Sequence, residues 1–269
     1  MTTLTTPSGF YLGKKDPVES PFGEFKSYFT EAPGTPPPSA HWGGRVTVPW
    51  QMDGNGPDPE VTIAPAGWSG AGDCTEACKA HAITTANFNE YGHTIPVPTA
   101  NAVIEQYCVA QGCTPAQLFA DPSKYDNGED ITTTLTTWCT TVEYGVKLAF
   151  TAPVDHTSKT DLMNGIYLGG GLDIGIQLPS SAEQQFPNEW TWDPSSSTEG
   201  GHCVWLTGYT DAYVALVTWG QLIQCTWEFL LNTIDEAHAL ILPQAVAAGK
   251  SPTGLLLPKW ESDLQNLNG

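Results

Sequence analysis

The hydrophobic pattern changes character twice along the chain, and that order constrains the fold more than any single motif does. Residues 1–66 are punctuated by Pro17, Pro21, Pro33, Pro36, Pro37, Pro38, Pro49, Pro57 and Pro65, which rules out a long helix there and forces a short extended stretch at the triple proline. The same segment carries Phe10, Tyr11, Phe22, Phe25, Tyr28, Phe29, Trp42 and Trp50. A solvated tail has no use for so many aromatic rings, so the segment reads as an extended arm that packs on its own domain or on a neighbour. From residue 74 the pattern turns helical. The run 74–91 suits a buried helix of small residues, 99–111 forms a second helix with Thr99 or Asn101 as cap and Gly112 as stop, and 131–143 forms a third despite its threonines. Beyond it, 172–178, 203–209, 213–218 and 237–242 read as strands, with a hairpin turn at Thr210-Asp211-Ala212 and a short helix over 227–232. Helices first and an antiparallel sheet afterwards is an α+β order.

Charge narrows the partners. Ten Lys and Arg against 29 Asp and Glu leave a formal net charge of −19, which argues against a surface that tracks nucleic-acid phosphates and against docking on an anionic membrane. Charged residues are only 14% of the 269 and hydrophobic ones 40%, so the chain can bury a core. No window is long and apolar enough for a membrane span. Met1-Thr2-Thr3-Leu4-Thr5-Thr6-Pro7 has neither a basic start nor an apolar run, so a secretory signal is not expected and cytoplasmic synthesis is. Seven cysteines cannot close into disulfides without remainder, and reduced thiols are the expectation. The spacings Cys74–Cys78 and Cys108–Cys113 match no well-specified zinc pattern. No metal or organic cofactor is expected.

Two residues stand out for chemistry. Cys74 lies in Gly-Ala-Gly-Asp-Cys-Thr immediately before the first helix, where the helix dipole and free N–H groups favour thiolate; a small buried helix-capping residue is the plain alternative. His202 follows Gly200-Gly201 and lies 128 positions after Cys74. A nucleophilic Cys with a His roughly 130–150 residues downstream is a thiol-hydrolase arrangement, the imidazole taking the thiol proton and returning it to the leaving group. His41, His93, His156 and His238 show no such partner. His81, two turns along the helix from Cys74, reads as core. Trp190, Trp192 and Trp205 either line an apolar cleft or belong to the core.

Gly-Gly-His-Cys-Val-Trp-Leu-Thr-Gly-Tyr at 200–209 and Val-Thr-Trp-Gly at 217–220 resemble the His strand and the Asn-Ser-Trp-Gly segment of papain-like cysteine peptidases. Asp-Cys-Thr-Glu-Ala-Cys at 73–78 resembles the nucleophile helix of the bacteriocin-leader peptidases of that clan. More closely, Gly72–Thr75, Asp126–Gly128, Gly175–Pro179, Gly200–His202, Thr218–Gly220, Thr226–Phe229 and Asp235–Ala237 are similar in order and spacing to papain-like proteins of tailed bacteriophages and some bacteria. The resemblance covers about residues 45–243. It implies a papain-like domain there, with a helical half carrying the Cys and a β half carrying the His, preceded by the arm over 1–44 and followed by a tail over 244–269. It further implies Cys74 as nucleophile, His202 as base, Thr218 in the position of the orienting Asn or Asp, and Trp219 as a shield over that contact. Thr218 supplies a hydroxyl where the family has an amide or carboxylate. No Gln precedes Cys74; Asn55 or, failing that, Gln51 is the nearest amide to serve as oxyanion donor. Two functions follow from the resemblance: a phage-encoded thiol peptidase or amidase acting on a peptide or protein, or a catalytically weak papain-fold component of a virion, contacting other phage proteins through its arm.

Overall fold

The computed structural model describes residues 4–6, 9–50, 54–56, 59–89 and 95–267; Gln51 and His93 lie outside them. At the centre is α1 (Cys74–Asn89), buried on nearly every side. It is built of small residues because large ones would not fit between its neighbours, and so it carries no single apolar stripe. Two of its buried hydroxyls are satisfied locally: Thr84 and Thr85 donate to the carbonyls one turn back, of Ala80 and His81. Lys79 is held between Glu76 and Glu143 at 2.8 and 2.6 Å. His81 is buried against Trp50, in the core.

α2 (Ala100–Ala110) starts at the Thr99 cap and stops where Gly112 takes φ +65°. α3 (Ile131–Thr140) is capped by Asp130, whose carboxylate accepts the Thr133 N–H. It ends three residues before the sequence pattern does, because Thr141 turns extended and Glu143 pairs with Val146 while reaching Lys79. β1 (Phe150–Pro153) and α4 (Lys159–Gly169) follow. Then come β2 (Leu172–Pro179), β3 (Thr198–Tyr209), β4 (Tyr213–Thr218), β5 (Gln221–Thr226), α5 (Trp227–Thr233) and β6 (Ile234–Ile241). Their antiparallel order in the sheet is β1-β6-β2-β3-β4-β5. The expected helical half and antiparallel half are both present. β3 starts five residues earlier than its apolar pattern, because Gly200 and Gly201 pair with Leu178 and Gln177 of β2. β4 and β5 extend the sheet past it, and α1 packs across β3.

The proline-punctuated segment lies on the same chain. Leu4–Thr5 pairs with Tyr11–Leu12, and Ala40–His41 adds to the end of β3 beside Tyr209 and Gly208. Phe22, Phe25 and Tyr28 are buried in the core. They meet α6 (Leu257–Leu267), whose Trp260 stacks on Phe22 at 5.3 Å and donates its indole N–H to the Thr151 carbonyl at 2.7 Å. Phe22, Phe25 and Tyr28 from one end of the chain and Trp260 from the other are thus packed against β1. Trp190 and Trp205 are also buried, Trp205 donating to Thr85.

Candidate active site

Cys74 is the first residue of α1, at the junction of the helical half and the sheet. The loop that delivers it is pinned by two buried carboxylates. Asp73 accepts the Gly54 N–H at 2.9 Å and the Asn55 side-chain amide at 3.0 Å. Asp126 accepts the Gly72 N–H and the Tyr107 hydroxyl. Gly70 takes φ +130° there, and a Cβ on it would press on the Gly54 carbonyl, so the close approach requires glycine.

The sulfur is buried and receives backbone N–H groups of Cys203 and Gly13. Burial nonetheless pushes the thiol well above its ordinary range, and the two N–H groups only offset part of that. The expectation of a thiolate favoured by the helix terminus is therefore reversed in this state: desolvation outweighs the dipole.

His202 lies on β3, one residue before Cys203, and its Nε2 is 2.8 Å from Thr218 Oγ1. Trp219 takes φ +46° and lays its indole on the imidazole, ring centroids 5.0 Å apart and planes 22° apart. Nδ1 is buried without a hydrogen-bond partner. Enclosure holds His202 neutral, its pKa lowered to about 3. Thr218 and Trp219 thus contact the imidazole, and β3 brings the backbone of the next residue to Cys74. Asn55 sits beside the nucleophile loop with one amide N–H committed to Asp73, and its Oδ1 is buried without a partner.

What covers the thiol is the segment Phe10–Lys14, which sequence reasoning did not place here. Gly13 fits against Gly72 and Gly128 so closely that a Cβ on Gly13 or Gly128 would overlap backbone. Its carbonyl accepts the Glu129 N–H at 2.7 Å, and the Lys15 N–H returns to the Glu129 carbonyl. Tyr11 bonds to Asn55 through its N–H and to Ser69 through its hydroxyl. On the other side, the Lys14 N–H donates to the Gly201 carbonyl at 3.2 Å, and Phe10 stacks on Trp219 at 4.0 Å, with Phe186 packed edge-on against both rings. This strap bridges the two halves directly over the nucleophile. The clue in the sequence was Gly13 amid aromatics, a residue chosen for close backbone approach.

Beneath the site lies a cluster that local spacing could not disclose. Cys203 Sγ is 3.1 Å from Cys78 Sγ and 3.0 Å from Asp173 Oδ1, all three buried. Burial raises the Asp173 carboxyl to about 7. These donors are the one metal-ligand-like group among the described residues. Tetrahedral zinc with bonds of ~2.3 Å would hold its sulfurs ~3.8 Å apart, so the two thiols as they stand, 3.1 Å apart, do not have the spacing of that ion's ligands. His238, which showed no partner in the sequence, has two: Glu236 at 3.1 Å and Thr132 at 3.4 Å.

No family model matches the sequence, and no curated protein does. Solved structures do share the fold. Xylellain, a cysteine protease from Xylella fastidiosa, aligns over 89% of this chain and 96% of its own at 12% identity and a TM-score of 0.56. Procathepsin B S9 from Trypanosoma congolense aligns over 90% of this chain and 86% of its own at 10% identity and a TM-score of 0.51. The fold is papain-like.

Proposed function

We propose that the chain is a papain-like thiol hydrolase, a peptidase or amidase, with Cys74 as nucleophile and His202 as general base. The observation that carries the reading is the 2.8 Å contact of His202 Nε2 with Thr218 Oγ1 under the Trp219 ring, on the strand whose next N–H meets the Cys74 sulfur. With Nε2–H donated to Thr218, Nδ1 is the basic nitrogen. It takes the thiol proton as sulfur attacks a substrate carbonyl, then gives it to the leaving amine; water cleaves the resulting thioester by the same route in reverse. The Cys74 N–H at the start of α1 and the side-chain amide of Asn55 are the oxyanion donors of this reading. The chemistry waits on departure of the strap, since both partners are neutral while it is in place.

Phage origin rests on the seven motifs from Gly72–Thr75 to Asp235–Ala237. A second reading, a papain-fold component of a phage capsid or tail with weak or no turnover, is favoured by Thr218 in place of an amide or carboxylate. Incubating the full chain and its Lys14→Ala variant with unfolded casein, with products read by mass spectrometry, separates the two. Fragments that vanish in Cys74→Ala support the hydrolase; no fragments from either protein would support the particle component.

A further inference from the structure

Lys14 is the only residue of the strap whose charged side chain is driven into the protein. The side chain has no exposed surface, and its ammonium lies 3.0 Å from Asp235 Oδ2, 3.1 Å from Glu236 Oε1 and 2.9 Å from the Lys15 carbonyl. The ammonium donates to Asp235 and to the Lys15 carbonyl and pairs electrostatically with Glu236. The slot is shaped for the stem as well. Gly175 of β2 forms one wall, and a Cβ there would overlap Lys14 Cε. Gly201 of β3 lies against the Lys14 carbonyl in the same way. Gln177 donates to Asp235 Oδ2 at 2.7 Å and fixes the carboxylate, while His238 holds the other oxygen of Glu236 at 3.1 Å. All of these walls belong to β2, β3 and β6, not to the strap.

The slot opens one residue from the reacting centre, because the N–H of the preceding Gly13 meets the Cys74 sulfur. We infer that the Gly175–Asp235–Glu236 slot is a specificity site that selects a lysine side chain from a peptide bound across Cys74, and that Phe10–Lys14 occupies it in the resting chain. The inference rests on the thiol-hydrolase reading for its purpose, though not for its geometry. Two carboxylates left facing each other without a cation are costly, so a vacated slot draws in a positive group. Lysine fits better than arginine: the two carboxylates converge on a compact ammonium whose further acceptor is the carbonyl of the next residue of the bound segment, and the planar five-donor guanidinium would leave donors unpaired.

The test uses the full chain carrying Lys14→Ala, with Lys14→Met as a second variant that keeps the apolar stem should the first fail to fold. The probe is the capped peptide Phe-Tyr-Leu-Gly-Lys-Lys, compared with versions carrying norleucine or arginine at the fifth position. Binding is read by calorimetry and by protection of Cys74 from iodoacetamide, neither of which needs turnover. The lysine peptide should bind about tenfold or more tightly than the norleucine one, the size of a charge-assisted hydrogen-bond contribution, with arginine also weaker than lysine. Adding Asp235→Asn and Glu236→Gln should erase the preference. Equal binding of the lysine and norleucine peptides, or a lysine preference that survives those two substitutions, would overturn the slot. Failure of the hydrolase reading has a different signature, a Cys74 thiol indifferent to His202→Ala.

Discussion

Thr218 carries the most weight at the scale of single residues, because in the proposed mechanism its hydroxyl accepts the Nε2–H of His202 and leaves Nδ1 basic. Thr218→Ala leaves the buried His202 Nε2 without its 2.8 Å partner. The expected cost is about 1–3 kcal/mol of stability, the usual penalty for orphaning a buried polar group. Hydrolysis should fall by about tenfold or more as tautomer and orientation are lost. Thr218→Asn should retain activity, since its carbonyl accepts the same N–H. Thermal unfolding and casein cleavage on the two variants check this; equal activity of Ala and wild type would remove Thr218 from the mechanism. The candidate site residues were legible where chemistry leaves a local signature: a Cys after Gly-Ala-Gly-Asp, a His after two glycines. Asp73 and Asp126, which pin the loop, and the Cys78–Asp173–Cys203 cluster were not, because their partners lie far away in sequence and nothing in the neighbouring residues announces them.

Among the elements, α1, α2 and β4 could be read from periodicity or caps. β1, β5 and α4 could not. β1 is a four-residue strand containing a proline, and β5 alternates exposed and buried residues without a strong apolar run. α4 is weakly amphipathic, and its Ser158 cap and the left-handed Gly170 mark it better than its hydrophobic residues do. The early start of β3 at Thr198 is imposed by pairing with β2 and not by local preference. Tertiary contact also decides the fate of the terminal segments. Trp260 of α6 ties the tail and the proline-punctuated segment to β1, through Phe22, Phe150 and the Thr151 carbonyl. Trp260→Ala should therefore cost about 3–5 kcal/mol, read as a shift in the urea midpoint. A change within a few tenths of a kcal/mol would mean that α6 contributes little to holding the domain.

Across the whole molecule, stability should peak on the acid side of neutrality. His81 and His202 are buried neutral, both lowered to about 3, whereas in the unfolded chain they bind protons below about 6.5; they therefore withdraw stability as pH falls below 6.5. Asp173, raised to about 7, and Glu129, raised by burial beside Glu76, hold protons that the unfolded chain releases above about pH 4. They withdraw stability as pH rises from there. Between about 4.5 and 6.5 the two pairs oppose each other; below that window the histidines prevail and above it the carboxyls do. Self-repulsion of a chain with net charge −19 adds to the loss at higher pH. Melting temperature against pH should show a maximum near about pH 5–6; a rise continuing to pH 8 would contradict these assignments.

At the same scale, the proposed hydrolytic pair of Cys74 and His202 is silenced by the strap. The most direct test is the rate of iodoacetamide alkylation of Cys74 from pH 4 to 9, read by peptide mass spectrometry, in the wild type, in Lys14→Ala and in Lys14→Ala with His202→Ala. Labelling should be slow in the wild type. In Lys14→Ala it should be fast, with an inflection well below the ~8.5 of a free thiol, and that inflection should return toward ~8.5 once His202 is removed. Labelling in Lys14→Ala that follows a free thiol near ~8.5, unchanged by loss of His202, would contradict that pairing.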